Sequence, residues 1–526
     1  MVKIRRALIS VSDKRNLVDF VKELHSLDVE IISTGGTKKV LDKAGIPVKS
    51  VSEYTKVKEM LDGRVKTLHP KIHAGILAKR DNKKHIRELK DASIGLIDMV
   101  IVNLYPFEET IDREGSKLKD ALENIDIGGP TLLRAAAKNY RYVAAVCDPD
   151  QYFRLIEELK DNNNRLSDRT LAELAARAFK YTSEYDKIIY KYLKANINLI
   201  SPNKKRYGSD FSFAQEVELH LKKIQDLRYG ENPHQKGAFY RDDKVTEPSV
   251  TQAKQLHGKE LSFNNIMDLN SALEIIKDFT EPVACIIKHT NPSGVAKSKD
   301  LKEAYKNALE CDPMSAFGSV IGLNKIVDED TAKLINENFI ECVLAPGYTE
   351  KALEILRKKK NIRILDIPKI DKRGMDIDIK KITGGILLQE KDIIEVNRKS
   401  LKVVTKKKPT PEQINSLLFA WNVCKYVKSN AIVLVKGNQT VGIGAGQMSR
   451  VDSVIIATRK AGKRAKSSVL ASDAFFPKED AVKAAHKAGI RAIIQPGGSI
   501  KDEEIIREAD RLNMSMIFTG IRHFRH

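Results

Sequence analysis

The sequence predicts an α/β protein of several domains, and three observations carry that prediction. Short apolar runs with β-branched residues alternate with stretches whose apolar positions recur at helical spacing. Several of the short runs end in Gly, Ser, Thr, Asn or Pro, residues that stop a strand and open a turn or helix. At roughly 150 residues per domain, 526 residues leave room for three or four cores.

Two βα units open the chain. Residues 6–13 are a short apolar strand ending in hydroxyls, followed by helical spacing over 17–27. A second strand, 29–32, ends in Ser33-Thr34-Gly35-Gly36-Thr37 and leads into a helix over 38–43. Each unit brings backbone N–H groups and hydroxyls to a helix N-terminus, where unpaired donors and the helix dipole favour a phosphate. Neither is a Walker A or G-x-G-x-x-G loop, so a purely structural turn stays open for each; two in tandem point to an anion cradle.

Residues 62–75 are dense in cations and hydroxyls, an arrangement that repels itself unless an anion neutralises it. The strand 97–102 then delivers Asn103 and Tyr105 to a strand's C-terminal edge, where open α/β sheets bind ligands. Asp126-Ile127-Gly128-Gly129-Pro130 reads as a tight turn with Pro130 at the first helical position. Arg134 and Lys138 share a face of that helix, and by themselves read as a solvated face. A closing helix is expected over 169–196, which sets a first domain at 1–197, a polar linker at 198–216 and a second half at 217–526.

In the second half, the apolar run 283–287 ends in Lys288-His289, and Asn291-Pro292-Ser293-Gly294 is expected to stop the element. Neighbouring strand residues face opposite ways, so the pair serves one pocket only where the strand twists or ends. A His moves protons near neutral pH and a Lys stabilises developing negative charge, which suits acyl-type transfer; a polar surface also accommodates such a pair. Helical spacing follows at 304–309, and 312–319 breaks into the strand 320–323. A fainter echo runs through strands 431–435 and 441–443 to 472–477. The Phe-centred turns 315–318 and 473–476 hint at two related subdomains, and a Phe in such a turn can stack on a flat ring. The last five residues, 522–526, read as a frayed tail.

A net charge of +21 with pI near 9.4 raises nucleic-acid binding as a rival reading. The excess is spread along the chain, and the runs 357–360 and 406–408 lack interleaved aromatics, so small anionic substrates and no nucleic acid are expected. Without an 18-residue apolar run or a leader, no membrane contact and a cytoplasmic location are expected. Five scattered cysteines read as buried thiols.

The motifs Ser-Val-Ser-Asp (10–13), Ser-Thr-Gly-Gly-Thr (33–37), Gly-Arg-Val-Lys-Thr-Leu-His-Pro (63–70), Asn-Leu-Tyr-Pro-Phe (103–107) and Asp-Ile-Gly-Gly-Pro (126–130) run through the first half. Arg-Tyr-Gly-Glu-Asn-Pro-His-Gln (228–235), Lys-His-Thr-Asn-Pro (288–292), Ser-Ala-Phe-Gly (315–318), Gly-Ile-Gly-Ala-Gly-Gln (442–447) and Ser-Asp-Ala-Phe-Phe-Pro (472–477) continue in the second. In that order, end to end, the chain resembles the bifunctional purine-biosynthesis enzymes that join AICAR (5-aminoimidazole-4-carboxamide ribonucleotide) formyltransferase to IMP cyclohydrolase. The resemblance implies a methylglyoxal-synthase-like α/β domain followed by two cytidine-deaminase-like α/β subdomains, working as a homodimer. It implies formyl transfer from 10-formyltetrahydrofolate to AICAR, giving formyl-AICAR, then dehydrative closure to IMP. Zinc deaminases of that fold carry a Pro-Cys-x-x-Cys pair, which this sequence lacks, so no metal is expected.

By the same resemblance His289 is the general base, Lys288 assists the oxyanion or the departing folate nitrogen, and Asn430 fixes the carboxamide. Arg228, Tyr229, Phe317, Gly318 and Glu341 match nucleotide-holding positions, as do Phe475, Arg522 and His526, which would draw the tail into the site. Folate is expected toward Met314, Ile443, Pro477 and Asp480. Lys478 stands where the family commonly has Phe and Ser293 where Cys is frequent, so a cyclohydrolase-only reading stays open. For ring closure, Lys66, Tyr105, Asp126 and Lys138 match proton-transfer and orienting groups. Ser10, Ser12, Lys14, Thr34, Gly36 and Thr37 would hold nucleotide and phosphate, together with Arg64, Thr67, Asn103 and Gly128.

Overall fold

The computed structural model describes residues 1–61, 63–113, 115–200, 213, 215–243, 245, 247–367, 370 and 377–526. The chain divides into two compact units, residues 1–212 and 213–526. Of the expected linker 198–216, residues 201–212 and 214 lie outside the described residues, and 198–200 continue a helix.

Unit 1 is a parallel sheet of β1 (Arg6–Val11), β2 (Glu30–Ser33), β3 (Lys49–Ser50), β4 (Met99–Asn103) and β5 (Ala144–Val146), in the order β3-β2-β1-β4-β5. Strands covered on both faces read as continuous apolar runs, and all five residues of β4 are buried. Around them lie α1 (Leu17–Ser26), α2 (Gly35–Lys43), α3 (Pro70–Leu77), α4 (Gly128–Lys138) and α5 (Asp168–Ile200). Alternate residues of β1 feed two cores. Ala7, Ile9 and Val11 join Leu17, Phe20 and Leu24 of α1, while Leu8 joins Ile72, Ile76 and Leu132 of α3 and α4. Strand order reverses between β1 and β4, which opens a crevice at their C-terminal ends. Contrary to expectation, α4 starts two residues ahead of Pro130, because the Gly129 N–H donates to Asp126 Oδ1 at 2.9 Å and closes the first turn early.

Unit 2 is built on twelve strands: β6 (Lys254–His257), β7 (Val283–Lys288), β8 (Asn291–Lys297), β9 (Ser319–Leu323), β10 (Ile340–Ala345), β11 (Arg363–Asp366), β12 (Lys402–Val403), β13 (Ile432–Lys436), β14 (Gln439–Gly444), β15 (Val469–Ser472), β16 (Ala492–Gln495) and β17 (Ser515–Phe518). Their order is β6-β11-β10-β9-β7-β8-β14-β13-β15-β16-β17-β12. Each half has a hairpin, three parallel strands and an antiparallel edge strand, and the halves meet antiparallel at β8 and β14. The helices repeat in step: α6 (Phe263–Ile276), α7 (Leu301–Leu309), α8 (Glu329–Asn336) and α9 (Glu350–Arg357) against α10 (Pro411–Cys424), α11 (Arg450–Ala461), α12 (Asp480–Lys487) and α13 (Asp502–Arg511). Even the starts of α6 and α10 match, each with a capping box, Ser262 with Asn265 and Thr410 with Gln413. These two helices bury one face of the sheet in a single core, while the remaining helices form one core per half on the other face.

Two expectations are corrected here. Asn291-Pro292-Ser293-Gly294 does not stop the strand; the chain reverses at His289-Thr290, both with positive φ, and Asn291 opens β8. Gly294 serves close packing instead, since a Cβ there would stand 1.9 Å from the Ala308 carbonyl of α7, as one at Gly442 would stand 2.1 Å from the Ala457 carbonyl of α11. The two Phe turns are also not equivalents within the repeat: Phe317 precedes β9, whereas Phe475 follows β15. All five cysteines are buried, and among the described residues no helix is long and apolar enough to cross a membrane.

Candidate active sites in the two units

In unit 1 the crevice between β1 and β4 is lined by hydroxyls and amides. Asn103 Oδ1 accepts the backbone N–H groups of Ser12 (2.7 Å) and Asp13 (2.9 Å), fixing the loop after β1. Lys14 Nζ donates to the Ser12 carbonyl at 3.1 Å. Ser10 and Thr34 hydroxyls lie 2.9 Å apart, and Thr37 Oγ1 lies 3.1 Å from both the N–H and the carbonyl of Val11. Thr34 does not cap α2 with its side chain, and open space surrounds Gly35 and Gly36, so the positive helix end faces room for an anion.

Beside this crevice Thr67, Tyr105, Asp126 and Gly128 gather at the start of α4. A Cβ on Gly128 would stand 3.0 Å from Thr67 Oγ1, and burial pushes the Asp126 carboxyl up, against the Gly129, Tyr105 and Gly128 N–H groups that hold it down. Lys66 lies 3.8 Å from Glu59, and Arg64 pairs with Glu123. Lys138 is not part of this group: it ends α4, ten residues from Gly128, about 15 Å away at 1.5 Å per residue. Within one chain the unbroken helix keeps it there. Arg134 and Lys138 are both exposed, as a solvated face requires, and the Arg134 guanidinium lies over the Phe179 ring at 5.6 Å. The sequence did not expose two supports on α5: the Tyr181 hydroxyl accepts the Leu104 N–H (3.0 Å) and the Tyr185 hydroxyl accepts the Asp126 N–H (2.8 Å).

In unit 2 the antiparallel meeting of the halves brings the end of β7, the starts of β9, β10 and β13, and the end of β15 to one sheet edge. Lys288 Nζ there donates to the carbonyls of Phe317 (3.0 Å) and Gly318 (2.9 Å), and the exposed Phe317 ring lies 4.9 Å from that of Phe339. Glu341 accepts from Asn265 Nδ2 at 2.8 Å, and the Arg228 guanidinium covers the neighbouring Tyr229 ring. On the other half, Asn430 Nδ2 donates to the carbonyls of Gln447 (3.0 Å) and Met448 (3.1 Å), and its Oδ1 accepts from Arg450 at 2.6 Å. The side chain expected to hold a carboxamide is thus already engaged in holding the 447–448 loop, with one lone pair of Oδ1 left over.

Arg450, absent from the sequence reading, is buried together with its partner Asp473. Arg450→Ala is expected to cost unit 2 about 3–5 kcal/mol, because it strands a buried carboxylate; the urea unfolding midpoint reads the loss.

The tail is not frayed. His523 is buried against Trp421 and beside Asp392, its N–H donates to the Asp473 carbonyl, and Ser429 exchanges two hydrogen bonds with Arg525, at 2.9 and 3.0 Å. A cavity of about 400 Å³ is bordered by Thr290, Met267, Tyr426, Lys428, Phe524 and His526, so Thr290 of the reversal shares a hollow with the chain end, while Lys288 and His289 do not line it. The Arg522 guanidinium covers the Phe524 ring, and Phe475 is half-buried. Met314, Pro477, Lys478 and Asp480 are exposed. The Ile443 side chain is buried in the core under α6 and α10. Among the described residues no group of three or more His, Cys, Asp and Glu could hold a metal ion.

The AICARFT/IMPCHase bienzyme family profile matches residues 136–460, and an MGS-like domain profile matches residues 16–131. A bifunctional purine biosynthesis protein PurH from Acetivibrio thermocellus is 52% identical over 525 residues, 99% of this chain and 100% of its own. One from Neisseria gonorrhoeae is 50% identical over 531 residues, covering both chains fully. A crystal structure of ForH is 32% identical, covering 36% of this chain and 97% of its own at a TM-score of 0.34, too low to argue fold. With two profiles matched in succession and half-identical relatives spanning its length, the chain belongs to the AICARFT/IMPCHase bienzyme family.

Proposed function

We propose that this chain performs the last two steps of IMP synthesis as a cytoplasmic homodimer. Residues 217–526 transfer a formyl group from 10-formyltetrahydrofolate to AICAR, and residues 1–197 close formyl-AICAR to IMP. The observation that carries the reading is the shared hollow: Thr290, the residue after His289, and the terminal His526 border one cavity in unit 2. The exposed Met314, Phe317, Phe339 and Met448 support a second copy seated against unit 2.

In formyl transfer the 5-amino nitrogen of AICAR attacks the formyl carbon while His289 takes its proton. Two of the three Lys288 N–H donors are held by backbone carbonyls, and the third serves the developing oxyanion. Collapse breaks the bond from the formyl carbon to the folate nitrogen, which leaves with a proton. In ring closure the carboxamide nitrogen attacks the formyl carbon and the formyl oxygen departs as water. Lys66 and Asp126 move the protons, and Tyr105 orients the substrate. The crevice hydroxyls with Gly36, Arg64 and Asn103 hold nucleotide and phosphate. Lys138 lies outside the set that one chain assembles.

Incubating the protein with AICAR and 10-formyltetrahydrofolate should yield IMP, and pre-formed formyl-AICAR should close without folate. Absence of IMP from the first mixture, with closure in the second, would leave a cyclohydrolase alone. Removing residues 522–526 is expected to lower formyl transfer at least about 100-fold and leave closure intact, measured with the two substrates in turn.

A further inference from the structure

We propose that Asp268 is a positioning residue for formyl transfer, holding the His289-Thr290 turn by accepting the Thr290 N–H; this rests on reading unit 2 as the formyltransferase. The reversal between β7 and β8 has φ of 52° at His289 and 62° at Thr290. A two-residue turn with both φ positive takes Asn-Gly or Gly-Gly by preference, and a β-branched residue is among the least suited to that region. Neither residue here is glycine, so the conformation needs a tie from outside the hairpin.

Asp268 supplies it. Its Oδ1 accepts the Thr290 N–H at 2.6 Å, and the His289 N–H is also turned toward the carboxylate. The acid sits on α6, whose next residue, Leu269, is fully buried in the main core, so the acceptor is anchored to a rigid element. The remaining ties are local or weaker: Thr290 Oγ1 and Asn291 Nδ2 donate to the His289 carbonyl at 2.7 and 3.2 Å, and Asn291 Oδ1 accepts the Lys428 N–H at 3.0 Å. Burial pushes the Asp268 carboxyl up while the turn N–H groups, His289 and Lys288 hold it down, the balance of an acid kept inside for its acceptor oxygen. A turn that relaxes out of the left-handed region re-aims the imidazole. Misplacement of a proton acceptor affects turnover more than binding.

The test is steady-state formyl transfer by the full chain carrying Asp268→Ala, Asp268→Asn, or Asp268→Ala with Thr290→Gly. Asp268→Ala should lower kcat about 10- to 100-fold with KM for AICAR within about threefold. Asp268→Asn keeps an acceptor oxygen and should lose less than about fivefold. Thr290→Gly, which adopts positive φ unaided, should return at least about threefold of the rate lost in the alanine variant. Asp268→Ala turning over like wild type, Asp268→Asn as damaged as Asp268→Ala, or no recovery with glycine each overturns the proposal. If Asp268→Ala does not fold, recovery of cooperative unfolding by Thr290→Gly supports it and failure to recover overturns it. A wild-type chain without formyl transfer removes both this inference and the reading beneath it, whereas an active wild type beside an unaffected Asp268→Ala removes this inference alone.

Discussion

His289→Ala is expected to lower formyl transfer by about 10²–10⁴-fold while formyl-AICAR still closes at the wild-type rate. The attacking amine is conjugated to an aromatic ring and is a poor nucleophile until its proton is taken, so losing the acceptor acts on kcat. Lys288→Ala should produce a loss of similar size for a different reason. Its ammonium bridges the Phe317 and Gly318 carbonyls, and without it both the oxyanion donor and the tie between β7 and the loop before β9 are gone. Following IMP from AICAR and from formyl-AICAR in parallel separates the steps. Loss of closure in either folded variant would contradict two independent sites.

Asp126→Asn should do the reverse, lowering closure by about 10²–10⁴-fold and sparing formyl transfer. It should also raise the melting temperature of unit 1 at pH 8 by a few degrees. Burial raises the Asp126 pKa above its unfolded value, so the group favours the fold at acidic pH, and that contribution is lost as the pH rises through the folded pKa. At pH 8 the buried carboxylate therefore opposes folding. Asparagine removes the charge and keeps an oxygen for the Gly129 N–H. The stability gain should shrink on acidification, and calorimetry at pH 8 and pH 5 checks the sign. In the wild type, closure should fall on the acid side through a pKa above the ordinary aspartate range.

The run 283–288 was legible as a buried strand because six consecutive positions carry apolar or strand-end character, and its Lys-His ending pointed to chemistry. The crevice of unit 1 was legible because its hydroxyls and glycines follow directly on apolar strands. What escaped the sequence depends on partners far along the chain. The tail reads as frayed until Trp421, about a hundred residues earlier, covers His523. Tyr181 and Tyr185 look like one face of a helix until their hydroxyls meet Leu104 and Asp126. Gly294 reads as punctuation because glycine serves turns and tight packing alike, and only the Ala308 carbonyl decides between them. Lys138 came from resemblance alone, and only the folded helix shows that it ends α4, about 15 Å from Gly128.

The head-on joining of the halves in unit 2 has a consequence for how labour is divided between its two structural repeats. The counterpart of the His289-Thr290 reversal is the reversal at 437–438 between β13 and β14, which is carried to the opposite rim of the sheet. Its Gly437 has φ of 63°, and its carbonyl accepts the Ser416 hydroxyl at 2.9 Å. That tip is tied to Ser416 and to the Lys297 N–H, whereas the proposed chemistry belongs to its twin alone. The second half brings instead 429–430, ahead of β13, and 472–473, at the end of β15, to the rim of the His289-Thr290 reversal, so the proposed formyl-transfer site draws unequally on the two halves.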